Sequence, residues 1–352
     1  MYNKLNDLLE QFDAILITSP YNLRYFSGFK GGEGVAIVGK NFRVLFVDSR
    51  YTVAAKSEAV NFEVIEFSAG KLVEFIKEKL EENNIHSIGF ENLVMTVKDF
   101  ERYRDGLGNI EFSGIDDKLN LLRMIKTDEE IDCLRQAEKI GDLAFEKVLP
   151  LIKAGVAECD IAAELEYQMR LLGAEGASFE TIVVSGEKSS MPHGMPDGTK
   201  LKCGDFVTMD FGCIYNGYCS DMTRTVVIEK ATDEQIRIYQ TVLKAQLAGL
   251  EAIREGVEGK VADSTARGII SDAGFGKFFG HSLGHGVGLQ IHELPNLSPM
   301  SDIVLKENMV VTCEPGIYIE NIGGVRIEDM VVVRKNGIDN LTSSPKELII
   351  CG

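Results

Sequence analysis

The chain has 352 residues, 45% of them hydrophobic, which is enough for two domains with sizeable cores. Its formal net charge of −17 speaks against nucleic acid or an anionic membrane as a partner, because both are gripped through clustered Lys and Arg. No apolar run approaches the roughly 20 residues that cross a bilayer, and residues 1–7 lack the basic patch and apolar stretch of a secretory signal. A cytoplasmic protein is the expectation. Its seven scattered cysteines, none in a C-x-x-C pair, are read as reduced packing residues.

The first third alternates β-rich runs with helical stretches, so residues 14–18, 35–38 and 44–48 are predicted strands and 71–82 a helix. It holds one of the five histidines, His86, and no acidic cluster at ligand spacing, which makes His86 a surface or structural residue. The pattern changes around 116–126. Thr127, followed three residues later by Glu130, is a capping box opening a long helix with Ile131, Leu134, Ile140, Leu143 and Val148 on its apolar face. These signals put a domain boundary near residue 122, giving domains of 1–122 and 123–352.

The second domain carries a diverged internal repeat. One helix is followed by Gly155-Val156 and a second helix, with Ile161, Leu165, Met169 and Leu172, that stops at Gly173. A capping box at Thr232 and Gln235 opens another helix, followed by Gly256-Val257 and a shorter helix stopping at Gly274. Gly155 and Gly256 are 101 positions apart, as are Gly173 and Gly274. Each copy runs on into β-rich sequence with histidine and then carboxylates. Two facing copies would enclose a shared cleft, where sites often form.

The strongest local signal is Met209-Asp210-Phe211-Gly212, then Asn216-Gly217, then Ser220-Asp221-Met222-Thr223-Arg224. Asn-Gly between apolar, β-prone runs predicts a type I′ hairpin turn. That centre pairs 210 with 223 and 212 with 221, setting Asp210 and Asp221 on one face as diagonal neighbours roughly 7–8 Å apart at Cα. Two such carboxylates repel unless a cation or a proton sits between them. A second hairpin repeats the theme. Glu314-Pro315-Gly316 ends one extended run, 317–319 and 325–327 flank Gly323-Gly324, and Arg326-Ile327-Glu328-Asp329 follows. Glu314 and Glu328 are thus acids in apolar, β-rich segments, where they are rarely buried unless paired or metal-bound. Arg326 shares the predicted strand face of Glu328.

Between the hairpins lies Gly280-His281-Ser282-Leu283-Gly284-His285-Gly286-Val287-Gly288, then Ile291-His292-Glu293. His281 and His285 have helical spacing, but the Glu of H-E-x-x-H is missing, and four glycines predict a close-packed loop presenting a histidine. His193 sits in the Pro/Gly-rich run Met191-Pro192-His193-Gly194-Met195. Four of the five histidines therefore fall in predicted loops beside the acidic hairpins. Four carboxylates and one imidazole form a hard, oxygen-rich set that suits a pair of Mn²⁺, Co²⁺, Fe²⁺ or Zn²⁺ ions better than a structural zinc site. Two ions ~3.5–4 Å apart polarise a carbonyl and activate water, the chemistry of amide hydrolysis.

These motifs resemble those of the pita-bread metallopeptidases, the family of Xaa-Pro dipeptidases (prolidases), Xaa-Pro aminopeptidases and methionine aminopeptidases. The likeness rests on 209–212, 220–225, 281–288, Glu314-Pro315-Gly316-Ile317-Tyr318 and 325–329, in order and spacing. Asn22-Leu23-Arg24-Tyr25-Phe26-Ser27-Gly28-Phe29 resembles the ribonuclease-H-like domain of the prolidase and Xaa-Pro aminopeptidase branch, which methionine aminopeptidases generally lack. The resemblance implies an α/β (α+β) chain, with a ribonuclease-H-like (creatinase N-terminal-like) domain before a pita-bread domain of pseudo-twofold repeat. It implies that Asp210 holds one metal, His285 and Glu314 the other, and Asp221 and Glu328 bridge. Glu314 is then the general base, and His193 and His292 bind substrate and stabilise the tetrahedral intermediate. His281, Tyr318 and Arg326 are implied as supporting or pocket residues, with Phe179 and Ile291 lining an apolar pocket for proline. The implied activity is hydrolysis of Xaa-Pro bonds in small peptides with proline second, or removal of the first residue from longer Xaa-Pro peptides. A homodimer with two divalent ions is expected, Mn²⁺ or Co²⁺ before Zn²⁺ or Fe²⁺. The intact ligand set speaks against a non-catalytic interaction protein that keeps this fold.

Overall fold

The computed structural model describes residues 2–352 and divides into two units, one up to Arg123 and the other Met124–Gly352. In the first unit, strands β1 (Ala14–Ile17), β2 (Val35–Gly39), β3 (Arg43–Val47), β4 (Glu63–Glu66), β5 (Ser87–Phe90) and β6 (Glu111–Gly114) form one sheet in the order β4-β3-β2-β1-β5-β6. β1, β2 and β3 run as an antiparallel meander, while β4, β5 and β6 join in parallel. Every residue of β1 and β2 is buried, which is why these segments read as unbroken apolar runs rather than alternating ones. Helices α1 (Asn6–Leu9), α2 (Pro20–Ser27), α3 (Thr52–Glu58), α4 (Leu72–Glu82) and α5 (Val97–Leu107) connect the strands, and α6 (Lys118–Met124) follows. On α4, Ile76 and Leu80 sit one turn apart in the core, each contributing about 1.5–3 kcal/mol by burial. His86 is exposed.

The second unit opens with α7 (Asp128–Val148). The Thr127 side chain accepts the Glu130 N–H, and the Glu130 side chain accepts the Thr127 N–H, as the capping box predicts. The buried stripe of α7 passes through Ile140 to Ala144 and Phe145, leaving Leu143 only partly buried. A 3.6-residue period from Ile140 lands nearer Ala144 than Leu143. Next come α8 (Glu158–Leu171), β7 (Gly176–Ala177), β8 (Ile182–Ser185), β9 (Phe206–Phe211), β10 (Cys213–Tyr215), β11 (Tyr218–Cys219) and β12 (Met222–Ile228). The same order then recurs with α9 (Asp233–Ala252), α10 (Gly259–Asp272), β13 (Gly284–Gly286), β14 (Glu293–Leu297), β15 (Val310–Cys313), β16 (Gly316–Ile319), β17 (Gly323–Arg326) and β18 (Asp329–Arg334). β19 (Gly337–Asn340) and β20 (Ile350–Cys351) complete the unit.

The repeat extends to backbone detail. α8 and α10 have 14 residues each, and end at Gly173 and Gly274, whose φ values of 106° and 87° give left-handed stops. Gly155 N–H donates to the Leu201 carbonyl, and Gly256 N–H to the Leu305 carbonyl. β8-β9-β12 and β13-β15-β18 are corresponding antiparallel ladders. Equivalent strand ends therefore carry the acids. Asp210 lies near the end of β9 and Glu314 just past β15, while Asp221 and Glu328 immediately precede β12 and β18.

The first hairpin turns on Asn216 and Gly217, with φ of 47° and 78°, as a type I′ turn requires. Asp210 pairs with Thr223, the predicted register. The predicted 212–221 pair does not form in the ladder, which breaks at Gly212 and resumes at Ile214 with Cys219. A Cβ on Gly212 would lie 1.9 Å from the Ser220 carbonyl oxygen, so the two backbones cross too closely there for regular pairing. The chain passes at this point from the sheet β20-β12-β9-β8 to the sheet β11-β10-β7. The second hairpin differs more from expectation. Its turn falls at 320–322, with Asn321 at φ 67°, while Gly323 and Gly324 belong to β17. A Cβ on Gly324 would approach the Ser189 carbonyl to 2.2 Å, so close approach, not turning, explains that glycine. Among the described residues, no helix is long and apolar enough to cross a membrane.

Candidate metal centre

The strand ends converge on a pocket of about 550 Å³ lined by Asp210, Asp221, His285, Glu314 and Glu328, a volume typical of small-ligand sites. Asp221, His285 and Glu328 each offer a ligand atom, and these atoms lie within 4.8 Å of one another. His285 Nε2 is 3.4 Å from Asp221 Oδ2 and 3.4 Å from Glu314 Oε1. His285 is carried by the short strand β13, not by the predicted loop. Its flanking glycines answer a packing need: a Cβ on Gly284 would lie 2.1 Å from the Thr312 carbonyl, and one on Gly286 2.3 Å from that of Leu294.

Each ligand candidate is held from behind. His285 Nδ1 lies 3.1 Å from the Gly286 carbonyl, which can only accept, so Nδ1 is the donor and Nε2 faces the carboxylates. The Thr223 hydroxyl donates to Glu328 Oε2 at 2.7 Å and accepts from Arg326 Nε at 3.0 Å. Arg326 also donates to Asp210 Oδ2 and, at 2.8 Å, to the Tyr318 hydroxyl. Tyr318 in turn meets His281 Nε2 at 2.9 Å, and His281 Nδ1 reaches the Ser282 carbonyl at 2.8 Å. The Thr312 hydroxyl accepts the His285 N–H at 3.1 Å and reaches Glu314 Oε1 at 3.3 Å. The opposite oxygens, Asp210 Oδ1 and Glu328 Oε1, are buried without a hydrogen-bond partner. Native structures rarely leave such atoms unmet.

The electrostatics match this crowding. Burial, then the neighbouring Asp210 and Glu314, push the Asp221 carboxyl well above the usual range. Burial and Asp221 do the same to Glu328. Burial raises Glu314 against the opposing pull of His285 and Arg326. Uncompensated acids in such a site hold protons; a bound cation would release them.

The predicted substrate-side residues also arrive. His193, His292, Phe179, Ile291, His281 and Arg326 line the same pocket. The His292 ring meets the His285 ring at 4.3 Å between centroids, in edge-to-face geometry. Burial, then His285, lowers the His292 pKa. Burial, then Arg326, lowers that of His281 to about 4. Tyr318 does not line the pocket and supports it through His281 and Arg326. Sequence reading missed Glu180, Pro192, Met195, Ser282 and Asn296 on the wall, and Thr223, Thr312 and Glu138 behind it. Thr223 and Thr312 had a readable signal, a hydroxyl two positions from an acid along one strand or across its pair.

Comparison with known proteins agrees over nearly the whole chain. Residues 132–335 match the model of metallopeptidase family M24, and residues 3–125 match the creatinase/prolidase N-terminal domain. The chain is 41% identical to the Xaa-Pro dipeptidase of Pyrococcus furiosus over 96% of its own length and 95% of that protein's. An Xaa-Pro dipeptidase structure from Bacillus anthracis superposes with a TM-score of 0.96 at 42% identity, covering 99% of this chain and 98% of that one. An X-Pro aminopeptidase structure from Thermotoga maritima gives 0.91 at 41% identity, covering 97% and 98%. With its strand ends, acids and histidine arranged as described, this chain belongs to metallopeptidase family M24 and carries a creatinase/prolidase N-terminal domain.

Proposed function

We propose that this chain hydrolyses the Xaa-Pro bond of dipeptides, with a pair of divalent metal ions held by Asp210, Asp221, His285, Glu314 and Glu328. The observation that carries the reading is the donor set itself. Four carboxylates and an imidazole nitrogen meet in one pocket, and two of the carboxylates keep a buried oxygen without a partner. Hard oxygen donors of total charge near −4 fit two divalent cations. Divalent ions in such a site polarise the scissile carbonyl and lower the pKa of water.

The chain's own groups do the rest. Glu314 takes the proton of the attacking water as general base. His193 and His292 hold the substrate and face the charge that develops on the tetrahedral carbon's oxygen. By the family resemblance, Asp210 would hold one ion and His285 with Glu314 the other, and Asp221 and Glu328 would contribute to both. Phe179 and Ile291 form apolar wall against which a proline ring packs. Manganese or cobalt is the first choice, zinc or iron(II) the second, because the set is dominated by carboxylate oxygen. A homodimer and a cytoplasmic location belong to the same proposal and rest on the family resemblance and the sequence.

A second reading, removal of the first residue from longer Xaa-Pro peptides, is favoured by the close likeness to the X-Pro aminopeptidase of Thermotoga maritima. A panel of Xaa-Pro dipeptides and Xaa-Pro-Yaa tripeptides, each assayed with Mn²⁺ and with Co²⁺, separates the two. Cleavage confined to dipeptides is expected. Faster cleavage of tripeptides selects the second reading, and cleavage of neither rejects both.

A further inference from the structure

Behind the pocket lies a buried hydrogen-bond chain that the reaction chemistry does not use. Glu138, on α7, has 0% exposure. One of its carboxylate oxygens accepts the Asp221 backbone N–H at 3.3 Å, and the other accepts the Thr342 hydroxyl at 2.6 Å. The Thr342 oxygen accepts the Met330 backbone N–H at 2.9 Å. The chain therefore begins at the start of β12, beside Asp221, and ends near the start of β18, two residues beyond Glu328. It thus joins the neighbourhoods of Asp221 and Glu328, which occupy equivalent points of the two repeat halves. Its members come from four separate segments, so no single strand pairing sets the spacing. Two further links cross the same gap: the Glu328 N–H donates to the Thr223 carbonyl at 3.1 Å, and the Thr223 hydroxyl to Glu328 at 2.7 Å.

The segment that supplies Thr342 is itself pinned. Asp142, one turn beyond Glu138 on α7, accepts the backbone N–H of Ser343 and of Ser344, each at 2.8 Å. Arg224 donates to the Ser344 carbonyl at 2.7 Å and to that of Pro345 at 3.0 Å. Thr342 is thereby held independently of the bond it makes to Glu138. A donor fixed in this way can hold the Glu138 carboxylate, and through it the Asp221 backbone, in one place.

We infer that Glu138 and Thr342 are positioning residues, a relay that fixes the separation of the Asp221 and Glu328 carboxylates across the two halves of the repeat. The inference rests on the reading of those two carboxylates as metal ligands given above. Partners behind a ligand commonly set metal affinity by restricting where the ligand can point. A relay of this kind acts on the metal site before any substrate arrives.

The test is calorimetric titration of metal-stripped protein with Mn²⁺ alone, beside thermal denaturation of the same samples. Thr342→Val, which keeps the shape and removes the hydroxyl, is expected to bind Mn²⁺ about tenfold more weakly, and Thr342→Ser to restore binding. Glu138→Gln still offers a carbonyl to the Asp221 N–H with its amide nitrogen toward Thr342, so it should hold Mn²⁺ within about twofold of wild type, whereas Glu138→Met should not. Wild-type Mn²⁺ affinity in Thr342→Val, with only a lowered melting temperature, would overturn the relay and leave a purely structural bond. If Thr342→Val fails to fold, equal Mn²⁺ affinities for Glu138→Gln and Glu138→Met overturn it, and unequal ones support it. A wild type that takes up no Mn²⁺ overturns the relay together with the metal reading. A wild type that binds Mn²⁺ without cleaving Xaa-Pro peptides overturns the substrate alone, and the variants still decide the relay.

Discussion

Replacing Thr223 by Val changes one atom's chemistry and nothing of the side chain's shape. Thr223 is fully buried, and its hydroxyl sits between two charged groups, donating to Glu328 at 2.7 Å and accepting from Arg326 Nε at 3.0 Å. Valine removes both bonds. Glu328, whose Oε1 already lacks a partner, would be left with neither oxygen bonded to a side chain. A lost hydrogen bond to a buried charged group costs about 1–3 kcal/mol, so the pair should cost roughly 2–6 kcal/mol. For a unit of this size that is a fall in melting temperature of roughly 4–24 °C. The sign of the pH dependence follows from Glu328. Its folded pKa is raised by burial and by Asp221, so without metal it keeps its proton further toward neutrality. The penalty for Thr223→Val therefore grows as the pH rises and Glu328 ionises. The assay is thermal denaturation of metal-stripped wild type and variant on both sides of neutral pH. A variant that melts within about 1 °C of wild type at every pH would refute the claim that Thr223 holds Glu328 in place.

Three further outcomes follow from the same geometry. Glu314→Gln should cut turnover by about 10²–10⁴ while leaving the metal-free melting temperature at or above that of wild type, since it removes one buried, proton-hungry acid; kcat and melting curves check both. Gly212→Ala places a Cβ 1.9 Å from the Ser220 carbonyl and should destabilise by about 1–3 kcal/mol or more, with reduced metal content on analysis of the purified protein. His281, whose pKa is lowered from 6.5 to about 4, contributes stability that is present above its unfolded pKa and lost as the pH falls toward 4. The span corresponds to roughly 3 kcal/mol, and His281→Gln should flatten the acid limb of melting temperature against pH; an unchanged limb would count against that role.

What could be read from the sequence was what depends on near neighbours. Asn216-Gly217 gave away its turn because both residues must take positive φ, and the register that sets Asp210 against Thr223 followed from the turn centre. The glycine pairs 101 positions apart marked the two helix stops because a left-handed residue ends a helix whatever surrounds it. The same residue type misled elsewhere. Gly284 and Gly286 suggested a loop around His285, and Gly323-Gly324 suggested a turn. Both sets are strand residues that admit a neighbouring backbone. A sequence cannot distinguish a glycine chosen for its φ from one chosen for its missing Cβ until the neighbour is known. The register broke at Gly212 for that reason. The supports behind the site were hidden for another: Glu138 meets Thr342 across 204 positions and Asp221 across 83, distances over which periodicity carries no information.

The central claim, a peptidase whose chemistry depends on divalent ions held by Asp210, Asp221, His285, Glu314 and Glu328, is tested most directly by one measurement. Purified protein is stripped with a chelator, its metal content is verified, and release of proline from an Xaa-Pro dipeptide is followed before and after adding back Mn²⁺ or Co²⁺. The account predicts that cleavage is abolished by stripping and restored by the added ion. Undiminished cleavage after verified removal of the metal would contradict it.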